Sequence, residues 1–125
     1  MKDSNYKKHN MKVWYKDLED RYADFPEQIQ ILNLVSDLKK AEHFWDIDKK
    51  TAVDHLYRSI ILIDFIVKDH KWKGKLKEVL RLREVIGSLI EGSQPLADPE
   101  ETIKAALLLS PGAYAALHQS AGKKR

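Results

Sequence analysis

Apolar residues recur along this chain at helical intervals, and proline, glycine and aspartate punctuate them. Met11, Trp14, Tyr15, Leu18, Tyr22 and Phe25 share one helical face. Pro26 ends that element, because a residue preceding proline is pushed out of the α region. A second helix is expected over about 27–47, with Ile31, Leu34, Val35, Leu38, Ala41 and Trp45 as its stripe. Ser36, Asp37, Lys39, Lys40 and Glu42 fall largely off the stripe, so this amphipathic helix needs a neighbour to cover its apolar face.

Asp48 is placed to cap a third helix over about 49–70 by accepting a hydrogen bond from an otherwise orphaned backbone N–H. Its segment 60–67, IILIDFIV, is apolar nearly all round. The β-branched residues there also fit a strand. However, Val53, Leu56, Tyr57 and Ile60 lead into the run at helical spacing with no intervening turn signal, which favours a central helix. Gly74 marks a break. A fourth helix over about 75–91 turns Leu76, Val79, Leu82, Val85, Ile86 and Leu89 inward, and Gly92 stops it. After a linker at 93–97 containing Pro95, Asp98-Pro99-Glu100-Glu101 reads as N-cap, N1 proline and capping-box glutamate of a helix over about 99–109. Ser110-Pro111 repeats the cap-then-proline pattern and opens a last segment to about residue 119.

The pattern therefore predicts an all-α fold: an antiparallel helical bundle of about four main helices plus one or two short C-terminal helical segments. Residues 1–10 read as a flexible arm, 11–92 as the bundle, 93–119 as C-terminal helical segments packed on it, and 120–125 as a basic tail. The expected core of the two most apolar helices is Leu56, Ile60, Ile63, Val67, Val79, Leu82 and Ile86.

Composition narrows the function classes. Apolar residues make up 43% and charged residues 33% of the 125, enough for a real core and a solvated surface. There is no cysteine, which excludes disulfides, thiolate metal sites and a cysteine nucleophile. No apolar stretch is long enough to span a bilayer, and the first ten residues carry no secretory h-region, so a cytoplasmic protein without a membrane partner is expected. The net charge is only +3, but it is segregated: residues 17–48 hold nine acids against three bases, and 68–83 seven bases against two acids. Such segregation can orient a partner.

Catalytic patterns are missing. No two of His9, His43, His55, His70 and His118 stand four apart, and no Glu-x-x-His occurs, so neither a two-histidine helical metal site nor a carboxylate di-metal site is indicated. A composite metal set such as Glu42, His43 and Asp46 with Asp54 and His55 could be assembled across two helices, although acids and histidines near a helix turn are common at surfaces. Asp64 interrupts the most apolar run; buried, it would need a partner such as Arg58, Lys68, Arg81 or Arg83, or a raised pKa. A paired carboxylate at the rim of the bundle is the expectation. The serines lack a nucleophile elbow and the glycines form no phosphate loop. No cofactor is implied.

The stretch 68–83 is the best binding candidate. Lys71, Lys73, Lys75, Lys77 and Arg81 could contact phosphates, and Trp72 could stack on a base, unless it turns inward as core. The segment 102–117 is similar to the helix-turn-helix pattern of DNA-binding proteins in its L-x-L-S-P-G at 107–112. It departs from that pattern at Leu108, where the turn glycine usually stands, and at Lys104, where a small residue packs. The resemblance covers sixteen residues and implies a DNA-facing second segment, which here is poor in base-reading side chains. The leading expectation is a non-enzymatic helical protein-interaction module, an adaptor or regulatory subunit that binds another protein or itself. The alternative is an accessory nucleic-acid-binding protein using 68–83.

Overall fold

The computed structural model describes residues 17–123, with side chains to Leu117. The expected arm at 1–10, the contributions of Met11, Trp14 and Tyr15, and the side chains of the basic tail lie outside the described residues. The fold is all-α, and among the described residues there is no strand. Residues 17–23 form α1. It is followed by α2 (Glu27–Phe44), α3 (Lys49–Lys68), a 3-10 segment (His70–Lys75), α4 (Leu76–Glu91), α5 (Pro99–Leu108) and α6 (Pro111–Lys123).

The punctuation works locally as the sequence reads. Asp48 adopts an extended φ of −151° and its carboxylate accepts from the Thr51 N–H at 3.2 Å, which starts α3. That cap also explains why α2 stops at Phe44 and not near residue 47. Asp48 must leave helical geometry to cap α3, and residues 45–47 turn the chain, with the Asp48 N–H bonded to the Phe44 carbonyl at 2.8 Å. Gly92 closes α4 with a left-handed φ of 86°, a conformation open to glycine at no steric cost, and returns its N–H to the Ser88 carbonyl at 3.0 Å. Asp98 caps α5 through the Glu101 N–H at 2.8 Å, with Pro99 in the first turn. Ser110 caps α6 through the Ala113 N–H at 3.2 Å. The segment 93–97 is held at both ends: the Glu91 carboxylate accepts from Ser93, and the Leu96 N–H donates to the Ser88 hydroxyl at 2.9 Å.

Besides the early end of α2, two elements depart clearly from expectation. The break at Gly74 is a full 3-10 segment, opened by Asp69, whose carboxylate accepts from the Lys71 N–H at 3.0 Å. The last helix runs past residue 119 to Lys123.

In the packing, α3 lies against both α2 and α4, and α2 also carries α5 and α6. The α3–α4 pair is antiparallel, joined across its rim by Arg83 Nε donating to Asp64 Oδ1 at 2.8 Å. One continuous core links Tyr22, Ile31, Leu34, Leu38, Leu56, Ile63, Ile66, Val79, Leu82 and Ile86 with Ile103, Ala106 and Ala113 of the C-terminal pair. Of the expected core, Leu56, Ile63, Val79, Leu82 and Ile86 are buried, whereas Ile60 and Val67 are only half-buried. Those two flank the buried face of α3 and pack at its edge. On α4, Leu76 is largely solvent-facing and Val85 half-buried, because α4 covers α3 along the narrower row of Val79, Leu82, Ile86 and Leu89.

Ile63 has no exposed surface, so Ile63→Ala is expected to cost about 2–5 kcal/mol in chemical denaturation, and Ile60→Ala clearly less. Equal losses for the two would overturn this account of the α3 face.

Candidate functional site

Three places in the molecule could carry function: the basic stretch at 68–83, the polar groups around it, and the shallow grooves between helices.

The basic stretch is built into the bundle. Trp72 is 1% exposed, and its indole N–H donates to Gln30 Oε1 at 2.5 Å. A ring in that position has no face for a nucleotide base, so the reading of Trp72 as a stacking residue is corrected: it is core. Lys71 folds back, its ammonium donating to Asp69 Oδ2 at 2.5 Å and to the Ala23 carbonyl at 3.0 Å at the end of α1. Lys75 donates to the Leu109 carbonyl at 2.9 Å, closing the C-terminus of α5, and lies 3.6 Å from Glu27 in the first turn of α2. Its ammonium is also 5.6 Å from the Trp72 ring centroid. Lys71 and Lys75 are therefore fasteners between elements. Of the sequence candidates, Lys73, Lys77 and Arg81 remain exposed with no ion pair among the described residues.

The centre of this end of the bundle is Gln30, which the sequence pattern did not single out. It is fully buried, and both its carboxamide nitrogen and oxygen are hydrogen-bonded. Nε2 donates to the Tyr22 carbonyl at 2.8 Å and to Asp69 Oδ2 at 3.1 Å, while Oε1 accepts from Trp72. The Tyr22 hydroxyl donates in turn to the Gln30 backbone carbonyl. Among the described residues no buried side-chain nitrogen or oxygen lacks a partner, as a low-dielectric interior requires. A signal for Gln30 did exist: it stands four residues before Leu34 on the buried stripe of α2, where a polar residue needs a partner.

The displaced pKa values follow from these contacts. Burial, with a lesser contribution from the Asp37 charge, pushes the Tyr22 phenol far above its ordinary value, so the hydroxyl remains a donor. Burial is the largest influence on Asp69 and opposes its charge. The hydrogen bonds from Lys71 and Gln30 together outweigh it and hold the carboxyl below the usual range. Asp48 and Glu91 are lowered chiefly by the side-chain hydrogen bonds of Thr51 and Ser93.

Asp64 makes the rim ion pair with Arg83 that the sequence suggested among four partners. The composite metal set does not assemble: His55 turns to Asp37 at 3.2 Å and stacks on Phe44, and no group of three metal-ligating side chains converges among the described residues. In the segment similar to a helix-turn-helix, α6 lies on α2, with Gly112 against the Gln28 side chain. Two open grooves are lined by described residues. One, of about 390 Å³, lies between α2 and α6. The other, of about 420 Å³, lies between Trp45, Leu89 and the segment 95–101. Among the described residues no helix is long and apolar enough to cross a membrane. In comparisons with known proteins, no family model, no curated protein and no solved structure matches this chain.

Two outcomes test the buried cluster. Gln30→Ala leaves a buried indole N–H without its acceptor and opens a cavity, so it should cost about 3–5 kcal/mol in urea unfolding; a loss under about 1 kcal/mol would mean the amide is dispensable. For Tyr22, the unfolded chain ionises its tyrosines near pH ~10 while the folded one keeps this proton. Above that pH the native state binds more protons than the unfolded state. Stability present below pH ~10 should then fall by up to about 1.4 kcal/mol per pH unit. Unfolding midpoints across that range check this, and Tyr22→Phe should flatten the slope.

Proposed function

We propose that this chain is a non-enzymatic protein-interaction module, an adaptor or regulatory subunit working in the cytoplasm. The observation that carries the reading is the exposure of large apolar side chains at ends and corners of the bundle: Ile47 is 72%, Leu96 61% and Leu108 73% exposed. An isolated exposed leucine is ordinary. Leu96, however, lines the open groove at Trp45, Ile47 lies in the turn that follows Trp45, and Leu108 stands at the α5–α6 corner. Each displaced pKa also has a structural cause in a cap, a turn or the buried cluster, and none of those groups lines either groove. That pattern favours a surface for contact over a site for chemistry.

The nucleic-acid reading keeps weaker support, among the sequence candidates in Lys73, Lys77 and Arg81. With Trp72 buried, the stretch offers charge without a stacking platform.

Site-specific photo-cross-linking tests the proposal. With a benzophenone amino acid at position 47, 96 or 108, cells making the protein should yield at least one discrete protein adduct that survives nuclease. Adducts to nucleic acid alone would overturn the reading. So would salt-sensitive DNA or RNA binding whose log–log slope falls by about 0.9 for each of Lys73, Lys77 and Arg81 replaced by alanine.

A further inference from the structure

We infer that the groove between α2 and α6 is a docking site for an acidic amphipathic helix of another protein. This rests on the interaction-module reading and specifies where and with what chemistry the contact is made. The floor is apolar: Leu32 and Val35 of α2 face Leu117 of α6. Along the same helix the lining becomes basic, with Lys39, Lys40 and His43, and among the described residues no carboxylate lines the groove. Leu32 to His43 covers about three helical turns, roughly 16 Å at the α-helical rise. A volume of about 390 Å³, open along one side, suits side chains laid in from a helix better than an engulfed small molecule.

Charge sets the occupant. Lys39 and Lys40 are exposed and make no ion pair among the described residues, although this half of the chain is rich in acids. Asp37, the nearest acid on the N-terminal side, takes His55 and Arg58 on the α3 side, and Glu42 makes no ion pair with either lysine. Two lysines beside an apolar floor call for carboxylates flanking apolar anchors. Such anchors lie at i, i+3 or i+4, and i+7 of a partner helix, with its acids over Lys39, Lys40 and His43. A basic or neutral apolar helix would fill the same floor and leave those ammonium groups facing like charge or nothing.

The probe is a fluorescein-labelled synthetic peptide of about three helical turns, with leucines on one face and glutamates on the other. Its counterpart carries lysines in place of the glutamates. The glutamate peptide should bind the full chain and shift the backbone amide signals of residues 32–43 and of Leu117. Lys39→Glu with Lys40→Glu should weaken it by at least about tenfold, leave thermal unfolding unchanged because both side chains are exposed, and confer binding of the lysine peptide. Equal binding of both peptides by the unaltered chain, shifts confined to other surfaces, or no binding of the glutamate peptide would each overturn the assignment. Concentration-dependent self-association abolished by the double substitution would overturn it in favour of a second copy of this chain. None of positions 47, 96 and 108 lines the groove, so the cross-linking result judges the module reading separately.

Discussion

A single buried carboxamide organises one end of this bundle. Gln30 meets the last turn of α1 through Tyr22, the start of the 3-10 segment through Asp69, and the interior through Trp72. An amide has two donors and a carbonyl with two lone pairs, and here both donors and one oxygen contact are fixed by protein. In a low-dielectric interior, each of these groups left unmatched would cost on the order of 1–3 kcal/mol. These bonds therefore tie α1, α2 and the α3–α4 connection to one another with a directionality that hydrophobic contact lacks. Tyr22 adds its ring against Phe65 at 6.0 Å, so the polar cluster and the aromatic core are held by the same residue.

What the sequence made legible follows from the range of the interactions. Caps at Asp48, Asp98 and Ser110 and the stop at Gly92 involve partners within four residues, and each is present. The helical stripes were legible for the same reason, with errors only at the margins, as at Ile60 and Leu76. Gln30 and Trp72 are a different case. Their bond spans 42 positions, and nothing in the local pattern of either announces the other. Trp72 sits among lysines, and its local pattern leaves stacking and core both open; the fold, by bringing a buried acceptor to its N–H, decides for core. For the candidate sites, the basic stretch was visible as charge, whereas the α2–α6 groove was not, since it needs Leu117 beside a helix some eighty positions earlier.

Folding also rearranges the charge pattern. Acids concentrate early in the chain and bases at 68–83, which along the sequence looks like two opposed faces. In three dimensions Lys75 reaches Glu27, and Lys71 reaches the carbonyl at the end of α1. Part of the segregation is spent on joining elements, and the charge left at the surface is different. Lys39 and Lys40, a minority within an acidic stretch, stand beside an apolar groove.

The segment between α4 and α5 has a thermodynamic consequence. Its Leu96 N–H is fixed to the Ser88 hydroxyl, its first residue is held by Glu91, and Pro95 narrows what the unfolded chain can explore. A floppy tether would charge the docking of α5 with loop-closure entropy each time the pair came away. These contacts restrict the segment and so lower that cost. The segment thus ties the start of α5 closely to the end of α4. A partner pulling on Leu108 would be pulling on α4 as well.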